Sequence, residues 1–156
     1  MITLEEAVER HSGVLFKYCY GILCDYYEAQ DAVQETFARA FTKQASYRED
    51  TNYAGWLYRI AYNTCIGILR KKRFHLYEEI EKPYTTPDNS LSEEMLKALA
   101  ALKPRDRALV FSRAIDDMDF AQLESVYNVS AATLRKRYER AKKKLQKHLN
   151  GGSQNG

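Results

Sequence analysis

Nowhere in the 156 residues is there an unbroken apolar run of about eighteen, the length that would cross a membrane. The start, MITLEEAVERH, lacks the basic opening and apolar centre of a signal peptide. The chain is therefore read as soluble and cytoplasmic, with no membrane insertion of its own. Cysteine is sparse: Cys19, Cys24 and Cys65 are odd in number, lie in helix-like stretches and show no CxxC spacing of a zinc site or redox loop. Three buried free thiols are expected, and no metal, although a Cys/His site using His11 or His75 stays open. Only three histidines and seven glycines occur, and neither a phosphate-cradling GxxxxGKS/T loop nor a GxSxG nucleophile elbow is present. These absences weaken any enzymatic reading, and no catalytic residue or cofactor is expected.

What the chain does have is unevenly placed charge. The net +3 hides 6 basic against 9 acidic residues over 1–69, the run RKKR over 70–73, 3 basic against 6 acidic over 78–103, and 11 basic against 6 acidic over 104–156. Two basic patches separated by acidic sequence suit a polyanion touched at two places, although such runs are more often solvated helix faces.

The apolar pattern is helical throughout. Thr3 and Glu6 have the spacing of a capping box, and Leu4, Ala7, Val8, Val14, Leu15, Tyr18, Cys19, Ile22 and Leu23 recur at helical period behind them. A second helix is predicted from about Glu28 to Lys43, with Ala29, Ala32, Val33, Thr36, Phe37, Ala40 and Phe41 inward and Asp31, Gln34, Glu35 and Arg39 outward. The polar stretch SYREDTNY, from Ser46 to Tyr53, reads as a loop. A third helix follows from about Ala54 to His75, with Leu57, Ile60, Ala61, Thr64 and Ile68 as its core stripe.

Between His75 and Ser90 two prolines and several turn formers interrupt any period, which reads as a linker spanning at most roughly 53 to 58 Å. Beyond it come a short helix (LSEEMLKALAAL), a second that begins at Pro104 (PRDRALVFSRAID), and a third framed by Asp119 and Gln122. The tight connection Tyr127-Asn128-Val129 then leads to Ser130 as the cap of a last helix. A short helix, a tight turn and a second helix form the helix-turn-helix pattern. The last helix keeps Leu134, Tyr138, Ala141, Leu145 and Leu149 on its core period. Eight basic residues occupy its other positions: Arg135, Lys136, Arg137, Arg140, Lys142, Lys143, Lys144 and Lys147. The fold class expected is all-α: two small helical domains over 1–75 and 91–150, a flexible linker over 76–90, and a disordered tail over 151–156.

A basic helix behind such a turn can enter a major groove, where Arg and Lys meet phosphates and guanine edges. The third helix carries rings (Tyr53, Trp56, Tyr58, Tyr62) beside Arg59, Asn63, Arg70, Lys71, Lys72 and Arg73, the mixture that single-stranded nucleic acid favours. Taken alone, an aromatic stripe is more often core, and some of these rings must pack against the first two helices.

The stretches DAVQETFARAFTKQASYR (Asp31 to Arg48) and YAGWLYRIAYNTCIGILRKKR (Tyr53 to Arg73) resemble region two of the extracytoplasmic-function (ECF) sigma factors of bacterial RNA polymerase. LKPRDRALVFSRAIDDMDFAQLESVYNVSAATLRKRYERAKKKL resembles their region four. The resemblance implies a transcription initiation factor that binds core RNA polymerase, through its clamp helices and flap, and promoter DNA. It places Asp31, Gln34, Glu35, Phe37 and Arg39 against the clamp helices. Asn52, Tyr53, Trp56, Arg59, Asn63, Arg70, Lys71, Lys72 and Arg73 fall at the melted minus-ten element, and Ser130, Thr133, Arg135, Lys136, Arg137 and Arg140 at the minus-thirty-five groove. It further implies an anti-sigma factor as partner.

Two residues depart from the family pattern. Glu124 stands where a small residue is usual, so its carboxylate must reach solvent or a neighbour such as Arg135 or Lys136, because burying it unpaired costs several kcal/mol. Asn128 stands where glycine is usual, a mild change since Asn tolerates the left-handed conformation. Three rivals remain. A sigma mimic that sequesters an anti-sigma factor would not need the retained basic residues, a stand-alone helix-turn-helix regulator would leave the aromatic third helix without purpose, and a small nuclease lacks a metal-binding carboxylate cluster.

Overall fold

A computed structural model of the chain describes residues 3–47, 53–74 and 91–154, with the side chains of residues 73, 74 and 152–154 left undescribed. Among these residues the regular structure is helical, and no helix is long and apolar enough to cross a membrane. Asn52 and the expected linker over 76–90 lie outside the described residues.

Helix α1 (Leu4–Leu23) starts where the Thr3 hydroxyl accepts the Glu6 N–H, and ends at Cys24, whose φ of 56° is left-handed. Only Cys24 and Asp25 separate it from α2 (Tyr26–Thr42), so the two run as an antiparallel hairpin. Helix α2 begins two residues before the expected Glu28 because the Asp25 carboxylate accepts the Glu28 N–H at 2.9 Å, which makes Asp25 the N-cap. A short 3-10 turn (Gln44–Ser46) follows, and α3 (Tyr53–Phe74) completes the first half. Buried Leu15, Tyr18, Ile22, Ala29, Ala32, Phe37, Leu57, Ala61 and Cys65 form its centre. Val8 and Val14, expected to face inward, are 39% and 43% exposed, since they lie beside the stripe of Ala7, Leu15, Tyr18 and Ile22. Cys19 and Cys65 are buried as expected, whereas Cys24 is half-buried.

The second half comprises α4 (Glu93–Ala100), α5 (Pro104–Val110), α6 (Phe120–Tyr127) and α7 (Ala131–Gln154). Pro104 opens α5 in the first turn, where its missing N–H costs nothing. Helix α5 then widens into a π-helical turn over Phe111–Ile115. Where the helical ladder loosens, the hydroxyls of Ser112 and Tyr127 both donate to the Ala108 carbonyl, at 2.8 and 2.9 Å. Asp119 and Gln122 form a complete capping box on α6, and Asn128 closes it in the left-handed region at φ 55°. The Ser130 hydroxyl accepts the Thr133 N–H at the start of α7. Helix α7 continues to Gln154, past Gly151 and into the stretch expected to be disordered.

The halves do not stand apart. One continuous core joins Leu15, Tyr18, Ile22, Leu57 and Ala61 to Leu109, Phe111, Leu123 and Leu134, while Ala98, Leu99, Leu102, Val110, Ala141 and Leu145 form a separate core inside the second half. The contact between them is close enough to demand glycine. A Cβ on Gly21 would come within 2.6 Å of the Phe111 ring.

Candidate nucleic-acid and partner interfaces

Helix α2 presents one wall to solvent. Asp31, Gln34 and Glu35 are exposed there, and none of them is required by the core. Arg39 is also exposed but is engaged within the fold: its Nε donates to Glu35 at 2.9 Å and its Nη1 to the Thr64 hydroxyl at 3.3 Å. Phe37, placed by the resemblance among the contact residues, is only 7% exposed and packs in the core; Phe41, expected to face inward, is 59% exposed. Helical phase explains the exchange. Phe41 lies seven residues from Gln34 and so shares its face, whereas Phe37 falls in phase with Ala29, Ala32, Thr36 and Ala40.

On α3, Trp56, Arg59, Asn63 and Arg70 stand at spacings of three, four and seven, a stripe about 21 Å long on one side of the helix. Arg59, Asn63, Arg70 and Lys71 are exposed. Trp56 is half-buried in a cluster with Tyr47 and Tyr53, at centroid distances of 5.1 to 5.6 Å, and His11 adds a fourth ring 5.7 Å from Tyr53. Burial, together with the nearby Tyr47, raises the Tyr53 phenol above its usual range. Burial, assisted by Arg10, lowers the His11 imidazole below 6.5.

Other residues of the set are turned elsewhere. Lys72 forms an ion pair with Glu28 of α2 at 3.2 Å, and Arg73 lies within α3 with its side chain outside the described atoms. Tyr58 is buried and donates to the Asp116 carboxylate in the second half, and Tyr62 packs edge-on against Tyr127 at 4.9 Å. Burial followed by the Asp116 contact pushes the Tyr58 phenol far up, so it stays a neutral donor. These two rings serve the contact between the halves.

The start of α7 is built by its caps. Ser130, Thr133, Arg135, Lys136 and Arg140 are exposed, and the Arg135 guanidinium rests over the Phe120 ring at 5.2 Å. Arg137 departs from this group. It is half-buried, lines a cavity of about 210 Å³ with Tyr62, Arg105, Tyr127 and Leu134, and its Nε is buried without a hydrogen-bond partner. A rotation of 200° from Arg135 along the helix sends Arg137 to the opposite side. The Glu124 carboxylate reaches neither Arg135 nor Lys136; it accepts the Ala131 N–H at 3.1 Å and so satisfies one of the free donors in the first turn of α7.

Two family models match this chain: Sigma-70 region 2 over residues 7–75 and Sigma-70 region 4 over residues 92–145. The ECF RNA polymerase sigma factor SigW of Bacillus subtilis is 24% identical over 163 residues, covering 92% of this chain and 87% of the relative. ECF sigma factor SigE of Mycolicibacterium smegmatis is 26% identical over 161 residues, covering 96% of this chain and 62% of that longer relative. In fold the chain is similar to the sigma factor RpoE of Bartonella quintana, solved in complex with the anti-sigma factor NepR, with a TM-score of 0.82, 22% identity, and coverage of 94% of this chain and 96% of that one. With both regions matched in order over most of its length, the chain belongs to the sigma-70 family of RNA polymerase sigma factors, in its extracytoplasmic-function group.

Proposed function

We propose that this sigma factor docks on the clamp helices of core RNA polymerase through the outer wall of α2, with Asp31, Gln34 and Glu35 as polar contacts and Phe41 as the apolar one. It captures the unpaired minus-ten strand along the α3 stripe of Trp56, Arg59, Asn63 and Arg70, with Tyr53 and Lys71 beside it. Its α7 enters the minus-thirty-five major groove with Ser130, Thr133, Arg135, Lys136 and Arg140. The chain then does no bond chemistry of its own; DNA binding energy replaces catalysis, and it acts in the cytoplasm, where polymerase and genome are. The single observation that carries this reading is the α3 stripe, because Asn63 and Arg70 are exposed on the helix that also holds the aromatic cluster and no packing demand of the fold explains them. An anti-sigma factor is the natural further partner, supported by the similar fold of a sigma factor held in such a complex.

Reconstitution with core polymerase tests it: discrete transcription start sites should appear only when the chain is present, and Asp31→Lys should abolish them. Loss of neither start sites nor polymerase association in Asp31→Lys would reject the α2 assignment.

A further inference from the structure

Two adjoining cavities that the proposed function does not use lie between α3 of the first half and α5 and α7 of the second. Tyr62, Ile66, Leu69 and Arg70 recur at i, i+4, i+7 and i+8 along α3, so they share one face of that helix. This face is one wall of the larger cavity, of about 710 Å³, and Lys103, Pro104 and Arg105 are the other. The surface is mostly apolar, and the volume falls inside the range of roughly 300 to 1,000 Å³ typical of small-molecule sites. Ile66 is half-buried but belongs to neither hydrophobic core, so the packing of the fold does not account for it.

The smaller cavity, of about 210 Å³, shares Tyr62 and Arg105 with the larger one and is mostly polar. Arg137 reaches it from α7, and its buried Nε has no hydrogen-bond partner among the described residues. A buried donor without an acceptor is unfavourable unless something supplies one. Burial raises the Tyr62 phenol above its usual range, while Arg137 and then Arg105 oppose the rise and Asp106 adds to it, so both guanidinium groups stand close to that ring. Among the described residues no ion pair engages Arg70, Lys103, Arg105 or Arg137. Four cations therefore border a space whose larger part is apolar and whose smaller part is polar.

A ligand that fits this space has two parts of different chemistry. A flat, largely apolar body covers Tyr62, Ile66, Leu69 and Pro104, and a polyvalent anion offers acceptors to Arg105 and Arg137. Phosphate suits the second part better than one carboxylate does: guanidinium groups grip phosphate oxygens in pairs, and a single negative charge leaves most of the positive charge uncompensated. We infer that the two cavities form a binding site for a nucleoside diphosphate, with the base and sugar in the larger and the diphosphate against Arg105 and Arg137 in the smaller. No Asn, Gln, Asp or Glu lines the larger cavity to read a base edge, so ADP serves as the probe for the class. The inference does not rest on the sigma-factor reading, because binding is measured on the free chain without DNA or polymerase.

Isothermal titration of the full-length chain in magnesium-free buffer compares ADP, pyrophosphate and adenosine. ADP should occupy one site per chain with a Kd of about 100 µM or tighter. Pyrophosphate and adenosine each carry only one of the two parts and should bind about tenfold or more weakly. Arg105 is exposed and outside both cores, so Arg105→Glu should leave helicity intact and weaken ADP binding about tenfold or more. Ile66→Trp fills the larger cavity and should weaken ADP to a similar extent while leaving pyrophosphate binding unchanged; should it lose helicity, Arg105→Glu decides alone. Arg70 also belongs to the proposed strand-capturing stripe, so it is left intact. A chain with both Arg135→Ala and Lys136→Ala, on the groove-facing side of α7, should bind ADP as the wild type does. The inference is overturned if ADP shows no saturable binding, if pyrophosphate binds as tightly as ADP, or if Arg105→Glu or a folded Ile66→Trp binds like the wild type. It is equally overturned if only the Arg135 and Lys136 variant loses binding, which places ADP on the DNA-binding face instead.

Discussion

The carboxylate of Glu124 in α6 accepts the backbone N–H of Ala131 in the first turn of α7 at 3.1 Å, so the residue that departs from the family pattern links the two helices of the helix-turn-helix. Glu124→Ala removes this acceptor and should destabilise the second half by about 1 kcal/mol, as the loss of a capping group does. Glu124→Gln keeps an acceptor oxygen and should recover most of it. Thermal unfolding of the three proteins checks the order.

Phe37 and Phe41 should behave oppositely. Phe37→Ala opens a cavity in the core and should cost about 3 kcal/mol or more of stability, with every activity falling together. Phe41→Ser should leave the melting temperature unchanged or raised and weaken association with core polymerase. Charge reversal at Asp31 is a cleaner probe of the same wall than reversal at Glu35, because Glu35→Lys also breaks its pair with Arg39.

Asn63 and Trp56 separate strand capture from packing. Asn63 is exposed, so Asn63→Ala should impair promoter opening on duplex templates without loss of stability, and pre-melting the minus-ten region should partly rescue it. Trp56→Ala removes a stacking platform worth roughly 1 to 3 kcal/mol per base and also opens the cluster with Tyr47 and Tyr53, so stability should fall as well. Permanganate reactivity of promoter thymines reads the first effect, and thermal melting the second.

The basic residues of α7 should divide by direction. Arg135→Ala and Lys136→Ala should each lower the slope of log affinity against log salt by about one unit on duplex DNA. Arg137→Ala should leave that slope unchanged, because its guanidinium faces the cavity it lines with Tyr62, Arg105 and Tyr127.

His11 gives a pH signature. Burial, then Arg10, lowers its folded-state pKa below 6.5, so the unfolded chain binds more protons just below that pH. The stability it contributes is therefore complete above about pH 6.5 and declines as pH falls through the lowered value. Between about pH 7.5 and 5.5 the wild type should lose more melting temperature than His11→Phe, which keeps a ring against Tyr53 and does not titrate.

Short-range chemistry was legible in the sequence and long-range pairing was not. The capping box of Asp119 and Gln122, the left-handed Asn128 and the Ser130 cap each depend on neighbours within a few positions, and each agrees with its local sequence. The apolar period alone starts α2 late, at Glu28, because it carries no sign of the Asp25 cap. Helical phase separates Phe37 from Phe41, although apolar spacing alone sets both on the core side. Tyr58, Tyr62 and Arg137 could not be assigned from their own surroundings, because Asp116 and Tyr127 lie 58 and 65 positions beyond the two tyrosines, and Tyr62 itself 75 before Arg137. Nothing local distinguishes a ring that stacks on a base from one that stacks on the other half of the protein.

The chain has a single tryptophan among twelve tyrosines. Trp56 sits with Tyr47 and Tyr53 beside the proposed strand-capturing stripe, whereas the contact between the halves is lined by Tyr18, Tyr58, Tyr62 and Tyr127. Indole emission therefore reports on the aromatic cluster beside the proposed stripe, with no contribution from the rings between the halves. Engagement of that cluster by nucleic acid acquires an optical signal without any label, and a stopped-flow trace of indole emission can time it.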